Sequence, residues 1–151
     1  MISMTFDWLP PSVNHVYMTV MKGKGRARIP IRTLTPEGKK FKNETTAELV
    51  RRFPTELRIF KPNVPFMVVG RLSFPNLLNK GWPDKAETRY KRLDADNRLK
   101  LLLDVLKDAA GIDDSNFLDI RVIKALGPDK TELWIMNMEE ECPPTPAIQS
   151  S

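Results

Sequence analysis

Acidic residues with regular spacing are concentrated in one stretch of the chain. Asp94 and Asp96 stand two positions apart where a loop meets a predicted helix, and in extended backbone residues two apart point the same way. Lys100 lies four residues after Asp96, one turn further along the same helix face. Asp113 and Asp114 follow that helix in a tight connection. Whether this connection brings Asp114 back to the first two carboxylates depends on tertiary packing.

The chemistry open to such a group is metal-assisted hydrolysis of a phosphodiester. Clustered carboxylates raise one another's pKa values unless a cation lies among them. Their hard oxygen ligands suit Mg²⁺, with Mn²⁺ as a substitute, and such ions polarise a phosphodiester and activate water. A nearby lysine such as Lys100 can neutralise the negative charge that develops in the transition state.

Each residue also has a purely structural explanation. Asp96 is a plausible helix N-cap, Lys100 and Asp104 can form an i,i+4 ion pair on a solvated face, and Asp113 with Asp114 is typical of a turn. Lys124 is less easily explained, because its alternation places it on the presumed buried face of a strand with Leu118, Ile120 and Val122.

The elements that would position these residues are about four strands and two main helices, in the order β-α-β-α-β-β. The helices begin at Thr35-Pro36 and near Asp96, and the second one ends at Gly111. The simplest architecture is α+β, a single domain with a four-stranded mixed sheet whose last two strands form an antiparallel hairpin. The domain is expected over residues 1–138, followed by a disordered acidic and proline-rich tail over 139–151.

Charge indicates a polyanionic partner. The net charge is +5, and the three acidic residues after Met138 are balanced by no Lys or Arg there, so the body of the chain is more basic still. No membrane span or signal peptide is visible, and the lone Cys142 cannot form an internal disulfide, so a cytoplasmic location is expected. Contacts to DNA are predicted in two loops, from the cations Lys22, Lys24, Arg26, Arg28, Arg32, Lys91 and Arg92.

The order and spacing of these residues resemble the signature of the RusA family of Holliday junction resolvases. The resemblance rests on Asp94-x-Asp96-Asn97-x-x-Lys100-x-x-x-Asp104, then Asp113-Asp114, then Lys124. It extends to Pro11-Ser12-Val13-Asn14 after the first strand and to Leu34-Thr35-Pro36-Glu37-Gly38-Lys39 at the first helix, so it spans most of the chain up to Met138.

This resemblance implies a homodimeric, Mg²⁺-dependent endonuclease of phage or prophage type that makes paired nicks in four-way or branched DNA. By position, Asp94, Asp96 and Asp114 would hold the metal, and Lys100 would be the essential base or charge stabiliser. Supporting roles would fall to Asn97, Asp113 and Lys124. The family requires no small-molecule cofactor and no membrane.

Two other functions remain open on sequence grounds. A non-catalytic module that binds branched or single-stranded DNA shares the basic surface, but it does not explain the clustered aspartates. A metal-dependent enzyme acting on small phosphates is also compatible with an Asp-x-Asp pair. The chain has no P-loop motif of the form Gly-x-x-x-x-Gly-Lys-Ser/Thr, which counts against this function.

Overall fold

A four-stranded sheet with helices packed on one face is the framework of the protein in a computed structural model that describes residues 1–141. A separate two-stranded ribbon projects from it. The elements are, in chain order, β1 (Ile2–Phe6), α1 (Val13–Val16), β2 (Tyr17–Lys22), β3 (Ile29–Leu34), α2 (Pro36–Arg52), α3 (Pro54–Leu57), β4 (Phe66–Phe74), α4 (Ala95–Ala110), a 3₁₀ turn (Asp114–Asn116), β5 (Phe117–Leu126), β6 (Lys130–Asn137) and α5 (Met138–Glu141). The α+β class and the two main helices, α2 and α4, are as predicted.

The strand order of the main sheet is β1-β6-β4-β5. β4 runs parallel to β5 and antiparallel to β6, and β6 is antiparallel to β1, so the sheet is mixed. The predicted hairpin between the last two strands is wrong, because β4 lies between them. The turn after β5 crosses the end of β4 instead, where the Gly127 N–H donates to the Phe74 carbonyl at 3.3 Å. This puts the β4–α4–β5 crossover, and not a hairpin, at the edge of the sheet.

The ribbon of β2 and β3 was not anticipated. The sequence suggested only a flexible basic stretch near Lys22–Arg28, and that stretch is the turn joining these two strands. Gly23 and Gly25 adopt positive φ angles of 126° and 61° there, a conformation that favours glycine. Most of the ribbon is exposed on both faces, so the alternation of buried and exposed residues that identifies a strand in a sequence is missing.

The helix α4 packs directly over β4 and carries the clearest buried stripe. Leu99, Leu102 and Leu106 are fully buried, and the helix ends as predicted at Gly111, which adopts the left-handed conformation (φ 69°). Gly70 of β4 allows this close approach, because a Cβ at that position would lie 2.6 Å from Leu99 Cδ1. A glycine in the central strand therefore sets how near α4 lies to the sheet.

The helix α2 begins as predicted and is joined to α4 by a charged pair. The Thr35 side chain accepts from the Gly38 N–H at 3.1 Å, and Pro36 occupies the first turn. Further along, the Lys42 ammonium donates to the Asp108 carboxylate of α4, and this hydrogen bond raises the pKa of Lys42. Both groups are more than a third exposed, so solvent screens the pair and its contribution to stability is small.

The C-terminal part of the described chain is the helical turn α5, which follows β6 directly. The expected disordered tail covers residues 139–151, of which 142–151, including Cys142, lie outside the described residues. Within residues 1–141, no helix is both long and apolar enough to span a membrane.

Candidate active site

The start of α4 is capped by Asp94 and not, as predicted, by Asp96. Asp94 Oδ1 accepts from the Asn97 N–H at 3.3 Å, and the Asn97 side-chain amide donates to Asp94 Oδ2 at 2.7 Å. The helix begins at Ala95, so Asp96 already lies in its first turn and cannot be the N-cap. The exposed Asp96 carboxylate has no hydrogen-bond or ion-pair partner in residues 1–141, so its structural explanation as a cap no longer applies.

A cavity of about 710 Å³ lies between α4 and β5, and we call it the carboxylate groove. It brings together three of the four predicted catalytic residues, Asp96, Lys100 and Asp114. The remaining lining residues are Asp104, Leu103, Ser115, Phe117, Ile120 and Val122. Asp104 belongs to the sequence motif that begins at Asp94, but only an ion pair with Lys100 was predicted for it. The fourth predicted residue, Asp94, does not line the groove.

The charged groups are spread along the groove. Asp96, Lys100 and Asp104 follow one another at successive turns of α4, which places the first and last Cα atoms about 12 Å apart at 1.5 Å per residue. Asp114 lies at the other end of the groove from Asp96, with its Oδ2 3.9 Å from Lys107 Nζ. Lys107 Nζ is also 3.8 Å from Asp104 Oδ1. Acidic and basic groups therefore alternate along this face of α4, with Lys107 beside the groove and not in its lining.

The predicted metal site is not formed by the side chains of residues 1–141. Within residues 1–141, no three His, Cys, Asp or Glu side chains form a group that could hold a metal ion. The predicted set of Asp94, Asp96 and Asp114 is therefore not assembled in the single chain, although carboxylates are the ligands that Mg²⁺ prefers. Asp94 is held at the helix cap, and Asp114 is drawn toward Lys107.

The two acidic residues after α4 have different surroundings. Asp113 Oδ1 accepts from the Ser115 N–H at 2.9 Å and so caps the 3₁₀ turn. Hydrogen bonding by Ser115 lowers the pKa of Asp113, because it stabilises the ionised carboxylate. The turn explanation therefore suits Asp113, while Asp114, the next residue, lines the groove.

Lys124 lies on the face of the sheet that carries the helices, as its alternation indicated. The strand register pairs Val122 with Gly70, and Lys124 is two residues further along on the same side. This face is not buried at β5, however, and the expectation for Leu118 and Ile120 was wrong: they are 67% and 48% exposed. Ile120 is exposed because β5 is an edge strand that α4 only partly covers. Leu118 leaves this face because a β-bulge between Phe117 and Asp119 shifts the register there.

The predicted DNA-binding cations lie in two places. The side chains of Lys22, Lys24, Arg26 and Arg28 are exposed at or near the tip of the ribbon. Lys91 is half-buried and Arg92 is exposed at the end of the loop over residues 76–93. That loop folds back on itself, since a bridge pairs Leu78 with Tyr90 and the Asn79 side chain donates to the Thr88 carbonyl at 2.7 Å.

A second cavity, of about 400 Å³, lies on the ribbon side of α4, and we call it the ribbon cavity. Lys100 and Asp104 line it as well as the carboxylate groove. Its other lining residues are Asn14, Tyr17, Arg32, Asn97 and Leu101. Tyr17 was not predicted, and Arg32 was predicted as one of the cations of a basic loop. Asn97 was predicted in a supporting role, and Asn14 had a sequence signal through the Pro11-Ser12-Val13-Asn14 segment.

Comparison with known proteins identifies a family for the chain. The family model for endodeoxyribonuclease RusA matches residues 10–136, which cover both cavities and every element from α1 through nearly all of β6. No curated protein matches the chain. Because the family match extends over most of the sequence, the chain belongs to the RusA endodeoxyribonuclease family.

Proposed function

We propose that the protein resolves Holliday junctions and related branched DNA by paired, Mg²⁺-dependent hydrolysis of phosphodiesters, with Mn²⁺ able to substitute. Family membership supports an endodeoxyribonuclease. The observation that carries the proposal is the carboxylate groove, in which the unpartnered Asp96, the exposed Lys100 and Asp114 face one space between α4 and β5.

The residues of the groove suggest different catalytic roles for the lysine and for the carboxylates. Lys100 has no acidic partner within residues 1–141, so its ammonium is free to stabilise negative charge on the phosphate under attack. Asp96 and Asp114 would each offer a hard oxygen ligand to a metal at its own end of the groove. The metal, when bound, would supply an activated water and neutralise phosphate charge. Lys124, on the same side of the sheet as the groove, would add positive charge at its border.

The substrate and the assembly follow from symmetry and charge. Two nicks at equivalent positions of a four-way junction require two equivalent active sites, which a homodimer provides. The exposed cations of the ribbon tip would contact phosphates outside the cut. A reducing, cytoplasmic compartment of a bacterial cell or phage-infected host is consistent with a DNA substrate.

The direct test is cleavage of an end-labelled synthetic four-way junction beside a linear duplex of the same sequence, with Mg²⁺, with Mn²⁺ and with EDTA. We expect paired, metal-dependent nicks confined to the junction. Binding of the junction without cleavage in either metal would support the alternative, a non-catalytic module for branched or single-stranded DNA.

The variant Asp96→Asn tests the groove itself. We expect loss of cleavage with retained junction binding, because the change removes a carboxylate charge and leaves the basic surface intact. Asp119→Asn is a matched control, since Asp119 is on the opposite face of the sheet, where it pairs with Arg121. Loss of binding as severe as the loss of cleavage would contradict the assignment of Asp96.

A further inference from the structure

The ribbon cavity contains two cations that no acidic residue neutralises directly. Neither Arg32 nor Lys100 makes an ion pair within residues 1–141. Asp104 is the acidic residue among the lining residues, and its Oδ1 is 3.8 Å from Lys107 Nζ, outside the cavity. The cavity therefore has an excess of positive charge, together with the amides of Asn14 and Asn97.

Arg32 is held in a defined orientation. Its guanidinium lies over the Tyr17 ring, 4.6 Å from the centroid. The register pairs Thr19 with Arg32, so Arg32 and Tyr17 are diagonal neighbours across the ribbon. Arg32 makes no ion pair within residues 1–141, so its forked N–H donors, which match a phosphate, are not taken up by a carboxylate.

The base of the ribbon is fixed to the body of the protein, in contrast to its tip. Thr35 donates its N–H to the Val16 carbonyl at 2.9 Å and its hydroxyl to the His15 carbonyl at 3.1 Å. Val16 is fully buried, and Gly38 fits against it, since a Cβ on Gly38 would lie 2.4 Å from the Val16 carbonyl oxygen. Tyr17, the next residue, is consequently set on a rigid element, as a precise binding site requires.

Lys100 connects the two cavities. On the helical wheel it lies between Asp96, which lines only the groove, and Asn97, which lines only the ribbon cavity. A DNA strand that crosses α4 at Lys100 would therefore pass from one cavity to the other. Two phosphates of one strand would then meet positive charge on either side of the same helix.

We propose that the ribbon cavity binds the nucleotide next to the scissile phosphate, with its phosphodiester on Arg32 and Lys100 and its sugar or base edge at Asn14 and Asn97. This inference rests on the proposed nuclease function and extends it to a second subsite. Arg32 then differs in role from the cations of the ribbon tip: it aligns the strand for cleavage, whereas they supply affinity.

Single-turnover cleavage separates these two roles. With saturating protein, Arg32→Ala is expected to slow cleavage of the four-way junction by about tenfold or more. The reason is that the aligned complex loses one charge-assisted hydrogen bond to the phosphate. Junction affinity in EDTA should fall only about threefold or less, since one phosphate contact among several is removed. Arg32→Lys should recover only part of the rate, because an ammonium lacks the planar fork.

Two further variants check the geometry. Tyr17→Phe keeps the ring under Arg32 and should cleave at nearly the unaltered rate, whereas Tyr17→Leu should resemble Arg32→Ala. Arg71→Ala is the charge-matched control, because Arg71 is on the opposite face of the sheet, near Glu132. A fall in affinity with an unchanged maximal rate for Arg32→Ala, or no effect at all, would overturn the proposal.

A readout that does not depend on cleavage distinguishes failure of this proposal from failure of the nuclease function. The dinucleotide pTpT is titrated into ¹⁵N-labelled full-length protein, and the amide shifts of Tyr17, Asn97 and Leu101 are followed. We expect these shifts to move, and to stay unchanged in Arg32→Ala. If the unaltered protein never cleaves junctions but shows these shifts, the nuclease proposal fails and the nucleotide subsite stands. Cleavage without these shifts overturns the subsite alone.

Discussion

At the scale of single residues, Asp94 is the position where two requirements meet. Its carboxylate holds the first turn of α4 through two hydrogen bonds to Asn97, yet family resemblance assigns it to the metal. The sequence suggested Asp96 as the cap, two residues beyond the aspartate that caps the helix. Such an error is expected, because helix ends are uncertain by one or two residues until the capping geometry is known.

The pair Asp94→Ser and Asp94→Ala separates capping from chemistry. Serine keeps a capping oxygen and removes the charge, so we expect a smaller loss of unfolding free energy for Ser than the roughly 1 kcal/mol expected for Ala. Both variants should lose cleavage if the carboxylate also serves the active site. Urea denaturation and junction cleavage measure the two effects. Full cleavage by Asp94→Ser would show that Asp94 is only a cap.

At the scale of elements, the position of α4 depends on Gly70. We expect Gly70→Ala to lower the unfolding free energy by about 1–3 kcal/mol, because the added methyl overlaps the Leu99 side chain in a packed core. Leu99→Val removes the Cδ atoms that would clash, so Gly70→Ala should cost less in that background. A double-mutant cycle by urea denaturation gives the coupling. Strictly additive effects would show that the methyl added by Gly70→Ala does not contact Leu99.

The ribbon tip should govern the salt dependence of binding. Replacing Arg26 and Arg28 by Ala is expected to weaken junction binding and to reduce the slope of log K against log salt by about 1.8, if each residue neutralises one phosphate. The slope is measured by anisotropy in EDTA between low and physiological salt, with Arg71→Ala as the control. An unchanged slope would remove the tip from the DNA interface.

Helix ends were easier to predict from the sequence than the order of the strands in the sheet. The start of α2 and the end of α4 follow from Thr35, Pro36 and Gly111, which act within a few residues of themselves. The position of β5 beside β4 depends on the crossover through α4, which no local pattern reveals. For the same reason the sequence left open whether Asp114 lies near Asp96, and the structure places them at opposite ends of the groove.

At the scale of the whole molecule, charge and symmetry dominate. The net charge of +5 favours association with DNA, and paired nicks require two active sites. We expect sedimentation equilibrium to give twice the 17.3 kDa mass of one chain. A mixed dimer of unaltered and Asp96→Asn chains, purified with two different tags, should then nick one strand of a junction only. A monomeric mass at working concentrations, or paired nicks by the mixed dimer, would contradict this proposal.

The pairing of β1 with β6 has a consequence for the order of events during synthesis. Ile2 at one end of the chain is opposite Ile135 near the other, and β6 must enter between β1 and β4. β1 therefore cannot pair until β6 has been synthesised, and the sheet beneath α4 is complete only once β6 has left the ribosome. A growing chain already contains every charged residue of the groove, but lacks the platform that holds them. We therefore expect nuclease activity to appear at completion of the fold, and not gradually as the chain lengthens.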